Sequence, residues 1–294
     1  MDIQRVAVVG AGGVGGFFAA HLSGTHHAVT ACVRRPFDRW RIESDESPFE
    51  GPATAVTNPS ALSGQPFDWV LVGVKAHQTT GAAEWFERTC GPDTVVVALQ
   101  NGIEAIERLA PLVRGALVLD PVVYCGTELI APGHILHDTK GRLILPDVEA
   151  ARDLETMFEG TAAVIQPRDD HRETAWIKLS LNTVVNGITA LTGHPMNVIG
   201  HPNVAPVAAA LLREVLEVGV ADGVELRLDR VEDTIERLAA NPAGRTSMLQ
   251  DVEAGRPTEH DAIHGAVMRA GRRLGLATPL TDMIQALLAA RSPA

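Results

Sequence analysis

Apolar residues in the first half of the chain come in short blocks with abrupt polar ends. Val6–Val9, Ala28–Val33, Trp69–Val74 and Val95–Leu99 are each a few residues long and rich in Val, Leu and Ala. Blocks of that length, bounded by Gly or polar residues, predict strands buried on both faces. Leu117–Val123 predicts a further strand. His134–His137 and Arg142–Leu145 predict strands joined by a turn, and Ala163–Ile165 a closing strand. Between the blocks, Gly16–Leu22 and Glu149–Phe158 carry helical patterns. The stretch Pro36–Ser63, rich in Pro, Ser, Asp and Glu, reads as surface helix and loop. Strands alternating with helices predict a mostly parallel sheet with helices on both faces.

After Asp169-Asp170 the strand pattern stops. Helical periodicity runs through Val204–Ala221, Val231–Ala239, Ser247–Ala254, Glu259–Leu274 and Leu280–Ala290. The boundary near Arg168–Asp170 divides the chain into an α/β domain, 1–168, and an all-α domain, 169–294. Asp170 is placed to cap a long helix containing Trp176–Thr189. That stretch is apolar nearly all round, as a buried helix is. Yet Lys178, Asn182 and Asn186 recur at steps of four and form one polar stripe. Burying a cation and two amides without partners costs several kcal/mol or more. Protein groups or a polar ligand must answer them.

Composition narrows the class. The 294 residues are 46% hydrophobic and 21% charged, which suits an ordinary globular core. A net charge of −11 argues against nucleic acid and anionic membranes as partners. Cys32, Cys90 and Cys125 are scattered and fit neither a disulfide framework nor a metal spacing, so a reducing cytoplasm is expected. Val6–Val33 contains no Asp, Glu, Lys or Arg, but six glycines and three histidines make it poor material for a membrane span.

Gly10-Ala11-Gly12-Gly13-Val14-Gly15 follows one predicted strand and opens a helix. That is the context in which G-x-G-x-x-G binds a dinucleotide. The glycines allow a tight turn, close approach of a pyrophosphate and close helix–strand packing, and the helix N-terminus favours the phosphates. The fold class is therefore an N-terminal Rossmann-type doubly wound sheet plus an all-α C-terminal domain. The second strand runs into Arg34-Arg35 and not into a carboxylate. Arginine can pair with a ribose 2′-phosphate, which favours NADP(H) over NAD. Lys75 and Asn101 also fall where strands end, at the edge where ligands bind such sheets.

Two helix starts in the second half carry chemistry. Ser247-Met248-Leu249-Gln250 matches a capping box with Ser247 as the cap. Thr258-Glu259-His260-Asp261 is a second start, and its Glu259 could answer Lys178. His260 and His264 lie four apart, but no fuller motif accompanies them, and no metal is expected.

Taken in order, these segments resemble the ketopantoate reductase (2-dehydropantoate 2-reductase) family. The residues that carry the resemblance are the glycine loop, Val74-Lys75-Ala76, Gln100-Asn101-Gly102, Pro132-Gly133-His134-Ile135, Trp176-Ile177-Lys178-Leu179 with Asn182 and Asn186, Thr246–Asp251, and Thr258–Asp261. The resemblance implies reduction of a short branched 2-keto acid by NADPH in a cleft between the domains. It implies Lys178 as general acid with Glu259 as its partner. Ser247, Asn101, Asn182 and Asn186 would contact substrate or nicotinamide. Gly10, Gly12, Gly13, Val14, Gly15, Arg34, Lys75 and Asn101 would contact the cofactor. A homodimer is possible. Met196 stands where some members have a substrate-contacting Asn, and His264 where Glu-x-Asp-x-x-Asn is usual. The competing readings are a reductase of another 2-keto acid, a 3-hydroxyacid dehydrogenase, and a non-catalytic NADP-binding protein.

Overall fold

The computed structural model describes residues 2–138, 140–227, 229, 231–240 and 244–291. The chain divides into two compact units, Met1–His171 and Arg172–Ala294.

The first unit is built on six parallel strands: β1 (Arg5–Val9), β2 (Ala28–Cys32), β5 (Ala55–Val56), β6 (Trp69–Val72), β7 (Val95–Ala98) and β8 (Leu117–Leu119), in the order β5-β2-β1-β6-β7-β8. Renumbered within the sheet this is 3-2-1-4-5-6, the dinucleotide-binding order, which reverses between β1 and β6. Alternation along β1 sends Val6 and Val8 into one core and Ala7 and Val9 into the other. Helix α1 (Gly13–Ser23) covers the first face, with Phe17, Phe18 and Leu22 fully buried. Burying each such side chain contributes about 1.5–3 kcal/mol. Helices α2 (Ala83–Thr89) and α3 (Ala105–Leu109) cover the other face through Phe86 and Leu109.

Two smaller sheets correct the expectations for this unit. The segment read as surface helix and loop contains β3 (Arg39–Glu43), β4 (Phe49–Pro52) and β5. In β3 only Trp40 and Ile42 are buried, a period-two signal hidden by its charged neighbours. The stretch Leu117–Val123 is two strands: Asp120-Pro121 separates β8 from β9 (Val122–Tyr124), and proline cannot donate to a ladder. The strands at His134–His137 and Arg142–Leu145, expected to be joined by a turn, lie in different sheets. Strand β11 (His134–His137) pairs with β10 (Thr127–Ala131) and with β3. Meanwhile β12 (Arg142–Pro146) pairs with β9 and β13 (Val164–Arg168). Helix α4 (Glu149–Met157) packs Ala151, Leu154 and Met157 into the core.

The second unit is helical. Its helices are α5 (His171–Thr192), α6 (Ala205–Ala221), α7 (Val231–Ala239), α8 (Ser247–Glu253), α9 (Ala266–Leu274) and α10 (Pro279–Arg291), with a π-helical turn at Asp261–Gly265 leading into α9. Asp170 stands just before α5 with its carboxylate paired to Arg168. Helix α5 buries Trp176, Leu179, Val184 and Ile188. Its hydroxyls bond back into the helix: Ser180 donates to the Trp176 carbonyl at 2.8 Å, and Thr183 to that of Leu179 at 2.8 Å. Among the described residues, no helix is long and apolar enough to cross a membrane.

Candidate active site

The predicted residues fall into two groups, one in each unit. In the first unit, parallel register aligns Val9 with Cys32 and with Val72, and Val72 with Ala98. The residues just beyond those strand ends are the glycine loop, Arg34, Lys75 and Asn101, so all lie at the carboxyl edge of the sheet. The glycines have different duties. Gly10 adopts φ +92°, a left-handed conformation that favours glycine. A Cβ on Gly15 would stand 2.2 Å from the Gly10 carbonyl oxygen and 3.1 Å from the Gly73 Cα. Gly15 thus lets α1 approach β1 and β6. A Cβ on Gly13 would meet the Thr127 hydroxyl at 2.5 Å. Gly12, at the N-cap of α1, has nothing within 4 Å of its Cβ position. The space beside Gly12 at the start of α1 is therefore open, and a helix N-terminus is a setting that can take a phosphate group.

Arg34 and Arg35 are exposed beyond β2, with no carboxylate before Asp38. Lys75 and Asn101 are half-buried. Their loops are tied by Gln100, which carries part of the family resemblance but has no role among the expected site residues. Its buried amide donates to the Val74 carbonyl and to the Thr79 hydroxyl, each at 2.9 Å, and its oxygen accepts from Arg108 at 3.1 Å. Its place in the motif Gln100-Asn101-Gly102 marks it, but nothing in the spacing tells which backbone its amide meets.

In the second unit, Lys178 and Asn182 are half-buried and Asn186 is 3% exposed, spaced one turn apart along α5. The structure brings Asn186 and Ser247 together. The Asn186 Oδ1 accepts from the Met248 backbone N–H at 3.2 Å and from the Ser247 hydroxyl at 3.4 Å. One end of the Asn186 amide is thus committed to the start of α8, and its NH2 remains the group suited to a ligand. Ser247 is not the helix cap expected. Thr246 is, its hydroxyl accepting from Leu249 N–H at 3.2 Å. The shift by one residue moves Ser247 into the first turn and turns its hydroxyl toward α5. Met196 begins a 3₁₀ turn and donates its N–H to the Gly244 carbonyl at 2.9 Å.

Glu259 is buried just before the π-helical turn, and its carbonyl accepts from Ile263 N–H at 3.1 Å. His264 is fully buried, with Nε2 2.9 Å from the Thr183 carbonyl. Burial, outweighing the hydrogen bond to the Thr183 carbonyl, lowers its pKa to about 4, so the ring is neutral near pH 7 and Nε2–H donates. His260 Nδ1 lies 2.9 Å from the Thr258 hydroxyl. The two histidines therefore serve separate contacts. No group of three or more His, Cys, Asp or Glu placed to hold a metal occurs among the described residues.

A parallel 3-2-1-4-5-6 sheet with a glycine-loop helix start, followed by a helical unit carrying a Lys-Asn-Asn face, defines a dinucleotide-binding oxidoreductase. Two family models match, both described as ketopantoate reductase PanE/ApbA: one over residues 6–150 and the C-terminal one over 170–292. A 2-dehydropantoate 2-reductase of Caulobacter vibrioides is 34% identical over 288 residues, covering 97% of this chain and 98% of that one. One from Mycobacterium tuberculosis is 32% identical, covering 98% and 97%. A crystal structure of 2-dehydropantoate 2-reductase from Geobacter metallireducens superposes with a TM-score of 0.89 at 28% identity, covering 98% of this chain and all of that one. The chain belongs to the ketopantoate reductase family. It is an oxidoreductase acting on a CH–OH group or the corresponding ketone.

Proposed function

We propose that this enzyme reduces 2-dehydropantoate to pantoate with NADPH. The observation that carries the reading is the face of α5, where Lys178, Asn182 and Asn186 follow one another and Asn186 is bonded to the turn bearing Ser247. Support from relatives is their shared name over nearly full length. When bound, NADPH supplies a hydride to the keto carbon. The chain's own residues do the rest. The open N-terminal turn of α1 holds the pyrophosphate through backbone N–H groups. Arg34 pairs with the 2′-phosphate, which nothing anionic on β2 opposes, and Lys75 and Asn101 complete the cofactor contacts.

Hydride arrival at the ketone builds negative charge on its oxygen. Lys178 donates a proton from Nζ to that oxygen as the C–O bond becomes single, leaving a neutral amine that solvent reprotonates. Glu259 favours the protonated form of the lysine and orients it. The Asn182 amide, the Asn186 NH2 and the Ser247 hydroxyl orient the keto acid and its carboxylate. Substrate and cofactor are small molecules; nothing in this chemistry calls for nucleic acid, a membrane or a metal.

The test is a panel of 2-keto acids with NADPH and NADH, followed by loss of nicotinamide absorbance. Turnover should be highest with 2-dehydropantoate and NADPH. A higher kcat/KM for another keto acid would reassign the substrate. Oxidation of a 3-hydroxy acid without any 2-keto acid reduction would remove the proposal.

A further inference from the structure

Thr183 and Gly187 each follow an asparagine of the α5 stripe, and both meet the same side chain. The His264 Nε2 donates to the Thr183 carbonyl at 2.9 Å. A Cβ on Gly187 would stand 2.6 Å from that nitrogen, so the imidazole rests directly on the helix backbone. His264 itself sits in the π-helical turn Asp261–Gly265. Such turns insert an extra residue into a helix and change which side chain faces inward, and they recur at functional sites. The same turn holds Glu259, through the hydrogen bond from Ile263 N–H to the Glu259 carbonyl. A short path of contacts therefore runs from the backbone between Asn182 and Asn186, through His264, to the residue proposed to partner Lys178.

We infer that His264 is a positioning residue that fixes the Glu259 turn against the Lys178-Asn182-Asn186 helix. The inference rests on the reductase reading above. The imidazole touches neither substrate nor cofactor; it acts by setting the register of two backbones that carry groups which do. Its neutrality keeps a single donor on the Thr183 carbonyl. Its bulk is matched by the missing side chain at Gly187, so bond and packing fix one geometry together. A displacement of about 1 Å in such a scaffold can cost up to about a hundredfold in rate.

Three variants test this in the full-length enzyme with NADPH and 2-dehydropantoate. H264L fills the volume but has no donor. H264Q places an amide nitrogen near the position of Nε2 and restores one. G187A keeps the imidazole but pushes it off the helix. H264L and G187A should each lose about tenfold or more in kcat while NADPH affinity, read by nucleotide fluorescence, stays at the wild-type value. H264Q should recover most of the rate. Melting temperatures of all three separate positioning from folding. If H264L does not fold, G187A decides by the same readout. Folded H264L and G187A with wild-type kcat, whatever their melting temperatures, would overturn the inference and leave the reductase reading intact. A wild-type enzyme that reduces no 2-keto acid would overturn both.

Discussion

Around the glycine loop the chain makes room by leaving side chains out, whereas along α5 it makes a site by putting side chains in and tying them down. In the loop, Gly12 faces open space and Gly15 has a carbonyl oxygen where a methyl would go. What remains to meet a ligand is backbone N–H, which every residue has. On α5, Asn186 is 3% exposed and bonded to Met248 N–H, and His264 braces the next residues from a different segment. The difference is between a loop of the kind common to many dinucleotide proteins and a set of side chains proposed to serve one reaction. Substitutions in the two regions should fail in different ways.

The largest expected effect lies on the side-chain-built region. Lys178→Ala removes the proposed proton donor and should lower kcat by a factor of about 10²–10⁴. NADPH affinity should stay close to the wild-type value, because the proposed cofactor contacts all lie in the first unit. Steady-state kinetics together with nucleotide binding measures both. Near-wild-type turnover in this variant would falsify the role given to the lysine.

The glycine loop can be tested by contrast within itself. Gly15→Ala places a methyl 2.2 Å from a backbone oxygen that cannot swing away. Overpacking of this kind costs about 1–3 kcal/mol, so the variant should unfold at lower denaturant even without nucleotide. Gly12→Ala meets nothing within 4 Å, at a φ of −74° that alanine adopts freely. It should melt like the wild type yet bind NADPH more weakly, because the methyl occupies the space given to the pyrophosphate. If Gly12→Ala binds NADPH unchanged, the ligand does not approach there.

The same contrast governs what the amino-acid sequence reveals. The loop is local: Gly10, Gly12 and Gly15 lie within six residues, and a preceding strand and following helix complete the pattern. The lysine stripe is local too, since steps of four on one helix need no tertiary information. The bond from Asn186 to α8 spans about sixty positions, and no periodicity encodes it. Residues that support others were the hardest to see. Gln100 and His264 are buried polar groups that each donate to a backbone carbonyl, and carbonyls are present everywhere along a chain and leave no mark on composition. Strand β3 was hidden for another reason. Its apolar residues, Trp40 and Ile42, alternate with charges on the exposed face, and the surrounding Pro, Ser and Asp outweigh so short a signal.

Arg34 is a smaller effect and a finer probe of the loop region. Arg34→Ala should weaken NADPH binding about tenfold, in line with one partly exposed charge-assisted contact. NADH has no 2′-phosphate, and its affinity should change much less. Titration of both nucleotides against both proteins gives the answer. Equal weakening of the two would assign Arg34 a structural role and remove the physical ground for preferring NADPH.

The smallest effect comes from Thr246, and it separates holding a helix from holding a substrate. Its hydroxyl caps α8 through Leu249 N–H and meets the Thr189 hydroxyl at 2.7 Å. Loss of a threonine cap costs about 1 kcal/mol. The cost should stay near that figure because two contacts survive in Thr246→Ala. Asn186 still accepts from Met248 N–H, and Thr189 keeps its bond to the Val185 carbonyl at 2.6 Å. The first turn of α8 then keeps its backbone bond from Gln250 N–H to the residue-246 carbonyl at 3.0 Å, and Asn186 remains the side chain that ties Ser247 and Met248 to α5. Chemical denaturation should therefore register the loss while KM for the keto acid stays unchanged. If KM rises as stability falls, the placement of Ser247 depends on the cap and not on the asparagine, and the α5 face does not organise that turn.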